Sequence, residues 1–229
     1  MTEREKIFGR IREALTVIAP VPGHHGHTKS AAHKPAPPSS QARQWLPPVA
    51  DTFDDQLACF RENAANLKAD FYLANSPDEL AKLLAGLRDR ESWKKVASHT
   101  GVLTDSAMQV LGLPVLKTDS AYNVTELEGC DVGITECDAL IAQTGSVLVT
   151  NRSAGGRALS VLPPHHVVLA RREQLLRDLP AAFQFLKQKY GANYPSMMSF
   201  ITGPSRTGDI ERILVLGAHG PKRLTIFCI

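Results

Sequence analysis

The stretch DFYLANSPDE, residues 70–79, predicts a strand that passes directly into a helix. Residues 70–74 are mainly apolar, and a run of this length is typical of a buried strand. Ser76 and Glu79 have the spacing of a capping box, and Pro77 between them suits the first position of a helix. The stretch therefore predicts one strand–helix unit.

The same alternation continues on both sides of this unit. Apolar residues at helical spacing predict a helix at 53–68, and the helix that starts at Pro77 extends to about residue 88. Strands are predicted at 95–98 and 114–116, with a helix at 104–112 between them. Short connections between alternating helices and strands are typical of a parallel sheet covered on both faces, so we predict an α/β fold.

The pattern changes after residue 134. Residues 139–142 and 147–150 predict two strands joined by the polar turn 143–146. The remaining predicted elements are a strand at 167–170, a helix at 173–189, a buried strand at 197–201 and a last strand at 224–229.

The first 50 residues have a different composition from the rest of the chain. Residues 3–18 predict an amphipathic helix, and residues 21–48 are rich in Pro, Ala, Ser and His, which indicates a linker. The domain boundaries are therefore placed at 1–50 and 51–229. Clustered histidines can bind zinc, but an unstructured segment offers no preformed geometry, so we predict no metal site at His24, His25, His27 and His33.

Charge and cysteine usage exclude several classes of protein. The net charge is +3, of which residues 1–48 carry +4 and the remainder −1, so the body has no basic surface for nucleic acid. We find no apolar run long enough to span a membrane and no signal peptide, and we expect a cytoplasmic protein. The four cysteines are scattered, without a C-x-x-C motif, so no iron–sulfur cluster, structural zinc or other cofactor is predicted; they are Cys59, Cys130, Cys137 and Cys228.

The densest group of polar and conformationally special residues follows the strand at 197–201. A strand that breaks into a glycine- and hydroxyl-rich loop before a helix start is suited to bind an anion, because backbone N–H groups, a helix dipole and an arginine converge there. Asp209 would cap the helix that begins at Ile210. The alternative is a tight turn whose polar groups bind only each other. The proposed binding residues are Gly203, Pro204, Ser205, Arg206, Thr207 and Asp209.

Three further segments carry candidate chemistry. Glu136 and Asp138 share one face if extended, either as a base or cation site or as a surface pair. His165 and His166 follow Pro163-Pro164, and they either face a cleft or are structural. The last segment, residues 217–223, places two glycines around His219 and adds Lys222 and Arg223, so a ligand could approach the backbone closely.

Four motifs together resemble the LUD domain, and most closely the lactate-utilisation protein C family (LutC/YkgG). They are GITECDALIAQTGSV at 133–147, LPPHH at 162–166, ITGPSRTGDIE at 201–211 and GAHGPK at 217–222. The resemblance covers residues 51–229. It implies a three-layer α/β/α sandwich like the NagB/RpiA/CoA-transferase-like fold.

The resemblance also implies a role in growth on L-lactate, which is oxidised to pyruvate. The family member acts beside two iron–sulfur proteins, so this chain would be the cofactor-free subunit of that system. Related CoA transferases use a catalytic glutamate, and Gln143 stands at the position that looks comparable. Because a neutral amide cannot form the same covalent intermediate, Gln143 is expected to position a ligand instead.

We therefore expect an accessory or ligand-binding subunit that holds a small anion in a cleft at the carboxyl ends of the strands. Arg206 would bind the anion, and His219 or Glu136 would transfer any proton. Two alternatives are a stand-alone enzyme for a CoA ester or sugar phosphate and a regulatory module that docks through residues 3–18. The other lining residues would be Gln143, Thr144, Gly145, Ser146 and Gly220.

Overall fold

The computed structural model describes residues 5, 8, 9, 47–119, 121–207, 215–217 and 219–229. Residues 43–229 form one compact unit, and residues 1–42 are grouped separately. Apart from residues 5, 8 and 9, the predicted helix at 3–18 lies outside the described residues, as do almost all of the linker with its four histidines and Asp209. The domain boundary at residue 50 stays a prediction.

The body alternates helices and strands in its first half and is mainly β-structure in its second half. The helices are α1 (Phe53–Asn66), α2 (Pro77–Glu91), α3 (Val102–Leu111), α4 (Val124–Glu128) and α5 (Leu179–Tyr190), with a 3-10 turn at Arg172–Gln174. The strands are β1 (Asp70–Leu73), β2 (Val96–Ser98), β3 (Val115–Lys117), β4 (Val132–Glu136), β5 (Ala139–Ile141), β6 (Ser146–Thr150), β7 (His165–Ala170), β8 (Leu175–Leu176), β9 (Met198–Ile201), β10 (Arg206–Thr207), β11 (Val215–Leu216) and β12 (Arg223–Cys228).

Six strands form a parallel sheet in the order β1-β12-β7-β4-β2-β3. The α/β prediction is confirmed, and the specific fold name stays a resemblance. The last strand, β12, lies inside the sheet, paired with β1 on one side and β7 on the other. This position brings the segment just before β12 beside the amino end of β7.

Helices α2 and α3 pack on one face of this sheet. Leu84 of α2 and Leu111 of α3 share a core with alternate residues of the central strands, such as Val167. The start of α2 is as predicted, since the Ser76 hydroxyl accepts a hydrogen bond from the Glu79 N–H at 3.2 Å. The Glu79 carboxylate reaches one residue further back than in a capping box and accepts from the Asn75 N–H at 2.8 Å.

The other face is covered by α1 and by a second sheet in the order β8-β5-β6-β9. The predicted helix at 173–189 is wrong at its start, because residues 173–176 belong to the 3-10 turn and β8, and α5 begins at Leu179. Asp178 caps α5 by accepting a hydrogen bond from the Ala181 N–H at 2.8 Å. The prediction from the apolar pattern missed this start signal. The strand at 197–201 is not buried as expected, because β9 is an edge strand on which Met198 is 43% exposed.

Asp138 lies between β4 and β5 and anchors α5 to this part of the chain. It is 1% exposed, and its Oδ1 atom accepts hydrogen bonds from Lys189 Nζ and the Tyr190 hydroxyl, each at 2.6 Å. The surface-pair interpretation of Glu136 and Asp138 is therefore wrong for Asp138. Burial by itself would raise the pKa of Asp138, but the hydrogen bonds from Lys189 and Tyr190 outweigh it and lower the pKa.

In the part of the chain that the structure describes, no helix is long and apolar enough to cross a membrane. All four cysteines are free, and Cys130, Cys137 and Cys228 are buried while Cys59 is partly exposed. Burial raises the pKa of Cys228 to about 11, so this thiol stays protonated and behaves as a small apolar group.

Replacing Asp138 with Asn is expected to lower the free energy of unfolding by about 1–3 kcal/mol, because two hydrogen bonds to a buried charged acceptor are weakened. Urea unfolding at pH 7 measures this change. Asp51→Asn is the matched control, since Asp51 pairs with Arg177 on the surface with an 87% exposed side chain and should change stability by less than about 0.5 kcal/mol. Equal effects of the two variants would contradict the anchoring role.

Candidate functional site

A cavity of about 220 Å³ lies between the loop after β9, the segment before β12 and the amino end of β7. It brings together several residues that the sequence predicted, namely Gly203, Pro204, Ser205, His219 and Gly220. The sequence-based site did not include the other polar lining residues, Ser160, His166 and Thr202. The loop at 201–205 and the GAHGPK motif therefore do meet in space.

The cavity lies at the amino ends of the parallel strands, not at the carboxyl ends as expected. His166 and Leu224 both line it, and they are register partners at the second positions of β7 and β12. The usual rule places ligands at the carboxyl ends because the helix N-termini open there. Here the loop after β9 comes from the second sheet, so that rule does not determine its position.

Tight backbone contacts fix the loop at 202–205. Gly203 has φ +85, and a Cβ atom there would lie 2.8 Å from the Leu67 carbonyl oxygen, so a side chain would be strained. The Ser205 N–H donates to the Pro221 carbonyl at 2.9 Å, and the Gly217 N–H donates to the Ser205 carbonyl at 2.9 Å. These bonds hold the two cavity-lining segments together.

The segment after Ser205 begins with a short strand, and the predicted helix start at Ile210 lies outside the described residues. Arg206 and Thr207 form β10, which pairs with β11 in an antiparallel hairpin. The exposed Arg206 guanidinium donates to the Leu67 carbonyl, at the C-cap of α1. Arg206 is therefore adjacent in sequence to the lining residue Ser205, but its charged group binds the end of a helix.

The turn at 143–146 lies beside the cavity and does not line it. The Ser146 and Thr202 hydroxyls are hydrogen-bonded at 2.8 Å, which joins the turn to the loop. Gly145 has φ +63, and a Cβ atom there would lie 2.7 Å from the Ala64 nitrogen of α1. The Thr144 hydroxyl is buried and has no hydrogen-bond partner among the described residues. The turn therefore holds the loop at 202–205 in place without lining the cavity.

Both the nitrogen and the oxygen of the Gln143 side-chain amide form hydrogen bonds with backbone groups. Its Nε2 atom donates to the Pro47 carbonyl at 2.9 Å, and its Oε1 atom accepts from the Leu179 N–H at 3.4 Å. The first bond holds the entry segment of the body, and the second bond satisfies a free N–H group at the start of α5. A ligand that used the Gln143 amide would have to displace these contacts.

Glu136 lies at the opposite end of the sheet from the cavity. Its Oε1 atom accepts from the N–H groups of Leu103 and Thr104, at 2.8 and 3.3 Å. The N-cap residue of α3 is Gly101, which has no side chain to bind these groups, so Glu136 acts as the cap from a neighbouring strand. The His99 ring accepts from the Glu136 N–H at 3.1 Å.

The two histidines of the LPPHH motif point to opposite faces of the sheet, as consecutive strand residues must. The His165 Nε2 atom is 2.9 Å from the Thr225 hydroxyl, and its ring packs edge-on against Trp93. His166 lines the cavity, and its Nε2 atom is 2.9 Å from the Thr135 hydroxyl. Burial lowers the pKa of His165 to about 4 and that of His166 to about 3, so both are neutral.

A second cavity of about 500 Å³ adjoins the first and shares Val161, His219 and Gly220 with it. Lys222 and Glu128, both exposed, are the charged residues in its lining. The smaller cavity therefore adjoins a region with one positive and one negative side chain. Within 47–119, 121–207 and the other described residues, no group of three His, Cys, Asp or Glu side chains is arranged to hold a metal.

Comparisons with known proteins agree with this architecture. The LUD domain matches residues 57–229. A protein named lactate utilization protein C from Bacillus velezensis is 24% identical over 96% of this chain and 93% of its own length. A protein of the same name from Shouchella clausii is 36% identical over 45% of each chain, so that match spans less than half of the relative.

A solved structure supports the fold alone. The crystal structure of a DUF162 family protein from Deinococcus radiodurans superposes with a TM-score of 0.60 at 22% identity. The superposition covers 78% of this chain and 99% of that one.

The two neutral histidines predict a pH dependence of stability. Their folded pKa values lie below the unfolded value of about 6.5, so the unfolded state binds more protons as the pH falls through this window. We expect the free energy of unfolding to fall between pH 6.5 and 4, by up to about 1.4 kcal/mol per pH unit for each histidine. Urea unfolding at several pH values checks this, and His165→Gln should flatten the slope. An unchanged slope in that variant would contradict the assignment for His165.

Proposed function

Because this chain belongs to the LUD domain family, we propose that it is a cytoplasmic component of a system that oxidises L-lactate to pyruvate. The observation that carries this proposal is the match along nearly the whole chain to the Bacillus velezensis relative, whose name assigns it to lactate utilization. The proposed role is an accessory or ligand-binding subunit, and not an independent catalyst.

The cavity supports a role in holding a small carboxylate. A space of about 220 Å³ is smaller than a drug-sized pocket, so it suits a metabolite of a few heavy atoms. Its wall presents hydroxyl groups of Ser160 and Ser205 together with the His219 ring. The Ser205 hydroxyl and a His219 N–H group can donate hydrogen bonds to carboxylate oxygens, whereas the Ser160 hydroxyl already donates to the Arg157 carbonyl at 3.3 Å.

Positive charge near the mouth would attract the anion. Lys222 lines the adjoining cavity, and Arg206 follows Ser205 in the chain. Neither group is buried, so each contributes a modest and salt-dependent attraction. In this proposal Arg206 acts at a distance, because its guanidinium also donates to the Leu67 carbonyl.

Electron transfer is assigned to partner subunits that contain iron–sulfur clusters. This chain carries four scattered cysteines and none of the closely spaced cysteine motifs that usually hold such clusters. In this proposal, this chain binds the ligand and its partners contain the redox centres.

A reconstitution experiment tests the proposal. The tagged full chain is co-expressed with the two iron–sulfur subunits from the same genome, and L-lactate oxidation is followed with an artificial electron acceptor, with and without this chain. Co-purification and dependence of the oxidation rate on the chain are expected. If the chain purifies alone and the rate is unaffected by it, the proposed role fails.

Arg206→Ala is expected to weaken L-lactate binding by about two- to fivefold, because an exposed charge contributes less than about 1 kcal/mol. Calorimetric titration at low and moderate salt measures the change, which should shrink as salt is added. Arg152→Ala is the control, since exposed Arg152 bonds to Asn193 away from the cavity and should leave binding unchanged. Identical behaviour of the two variants would remove Arg206 from the site.

A further inference from the structure

One polar atom of a cavity-lining residue is buried without a partner. His166 is 1% exposed, and its Nδ1 atom has no hydrogen-bond partner among the described residues. Buried polar groups in native proteins are nearly always hydrogen-bonded, because an unpaired one costs about 1–3 kcal/mol. His166 is also one of the residues that line the cavity, so a ligand there can supply the missing partner once the cavity wall adjusts.

The neighbouring hydroxyl indicates which ring nitrogen carries the proton. Thr135 is fully buried, and within the described part of the chain its hydroxyl bonds to His166 Nε2 alone, at 2.9 Å. If Nε2–H donated to Thr135, the hydroxyl proton and Nδ1 would both stay unpaired. If the Thr135 hydroxyl donates to Nε2, the only unpaired group is an N–H at Nδ1. The second arrangement leaves fewer buried polar groups unsatisfied and is therefore favoured.

We propose that the Nδ1–H group of His166 donates a hydrogen bond to a carboxylate oxygen of a small acid bound in the cavity, beside the hydroxyl group of Ser205. The choice of a carboxylate rests on the proposed function. The ligand-binding group at this point is then a neutral imidazole, and not Arg206. His165, one residue earlier, takes no part, because it faces the other side of the sheet and bonds to Thr225.

The electrostatics of the site agree with this assignment. Burial lowers the pKa of His166 to about 3, so the donor is uncharged at neutral pH. An uncharged donor costs less to bury than an imidazolium, and it leaves most of the ligand charge to be balanced at the mouth, toward Lys222. Since Nδ1 is covered in the structure, binding requires a small side-chain adjustment of the cavity wall, a common event on ligand binding.

Amide substitutions separate the two ring nitrogens. In His166→Gln the amide reaches the Nε2 position and keeps the bond to Thr135, but it places nothing at Nδ1. In His166→Asn the amide lies near the Nδ1 position and loses the bond to Thr135. His165→Gln is the matched control for the loss of a buried histidine. Each variant is titrated calorimetrically with L-lactate, with pyruvate and with inorganic phosphate, after its unfolding transition has been recorded.

We expect His166→Gln to weaken the binding of L-lactate or pyruvate by about five- to tenfold, the loss typical of one hydrogen bond. His166→Asn should bind more tightly than His166→Gln, and His165→Gln should bind like the unsubstituted protein. Unchanged binding in His166→Gln, or an equal loss in His165→Gln, overturns the assignment. Failure of both acids to bind the unsubstituted protein, or tighter binding of phosphate than of either acid, overturns the choice of a carboxylate.

Nitrogen NMR of the unsubstituted protein gives a test that does not depend on a variant folding. With histidine labelled by ¹⁵N, two-bond couplings show which ring nitrogen carries the proton. We expect the proton on Nδ1 of His166, and a larger shift of Nδ1 than of Nε2 when L-lactate is added. A proton on Nε2, or no response of the ring to either acid, overturns the proposal.

The two proposals fail in different ways. If L-lactate oxidation depends on this chain but His166→Gln binds normally, the role in the system stands and the assignment of His166 is lost. If His166→Gln loses binding but lactate oxidation proceeds without the chain, the carboxylate site stands and the role in the system is lost.

Discussion

The structure depends on the insertion of the last strand, β12, between β1 and β7. This pairing places the last strand of the body beside the first, so residues from both ends of the body contribute to one sheet. It also sets Leu224 beside His166, which brings the GAHGPK segment to the cavity. Sheet register therefore decides the composition of the candidate site.

His165 and His166 have different roles because successive residues of a strand face opposite sides of the sheet. His165 joins the core beneath α2 and α3, where it packs on Trp93. His166 faces the side covered by α1 and the second sheet, where it contributes to the cavity. Both rings are kept neutral by burial, and His166 has a fully buried nitrogen atom, Nδ1, without a hydrogen-bond partner. Two identical neighbouring side chains thus differ in role because successive strand residues point in opposite directions.

Three side chains that the sequence suggested as ligand-binding or proton-transfer groups form hydrogen bonds with backbone groups instead. Glu136 caps α3, Gln143 joins Pro47 to the start of α5, and Arg206 binds the carbonyl at the end of α1. Each of them satisfies a group that a helix end or an entry segment leaves unpaired. Such partners lie far away in the sequence, so a local motif cannot distinguish a ligand-binding side chain from a capping one.

The sequence by itself determined the α/β class, most helix and strand positions in the first half, and the resemblance to the LUD domain. The class and the element positions follow from hydrophobic period and from start signals such as Ser76-Pro77, which act within a few residues. The resemblance rests on the four motifs at 133–147, 162–166, 201–211 and 217–222. Only the tertiary structure decided that the cavity lies at the amino ends of the strands, that residues 173–176 are not part of α5, and that His166 lines the site. Strand order and long-range hydrogen bonds set these features, and neither is encoded in local spacing.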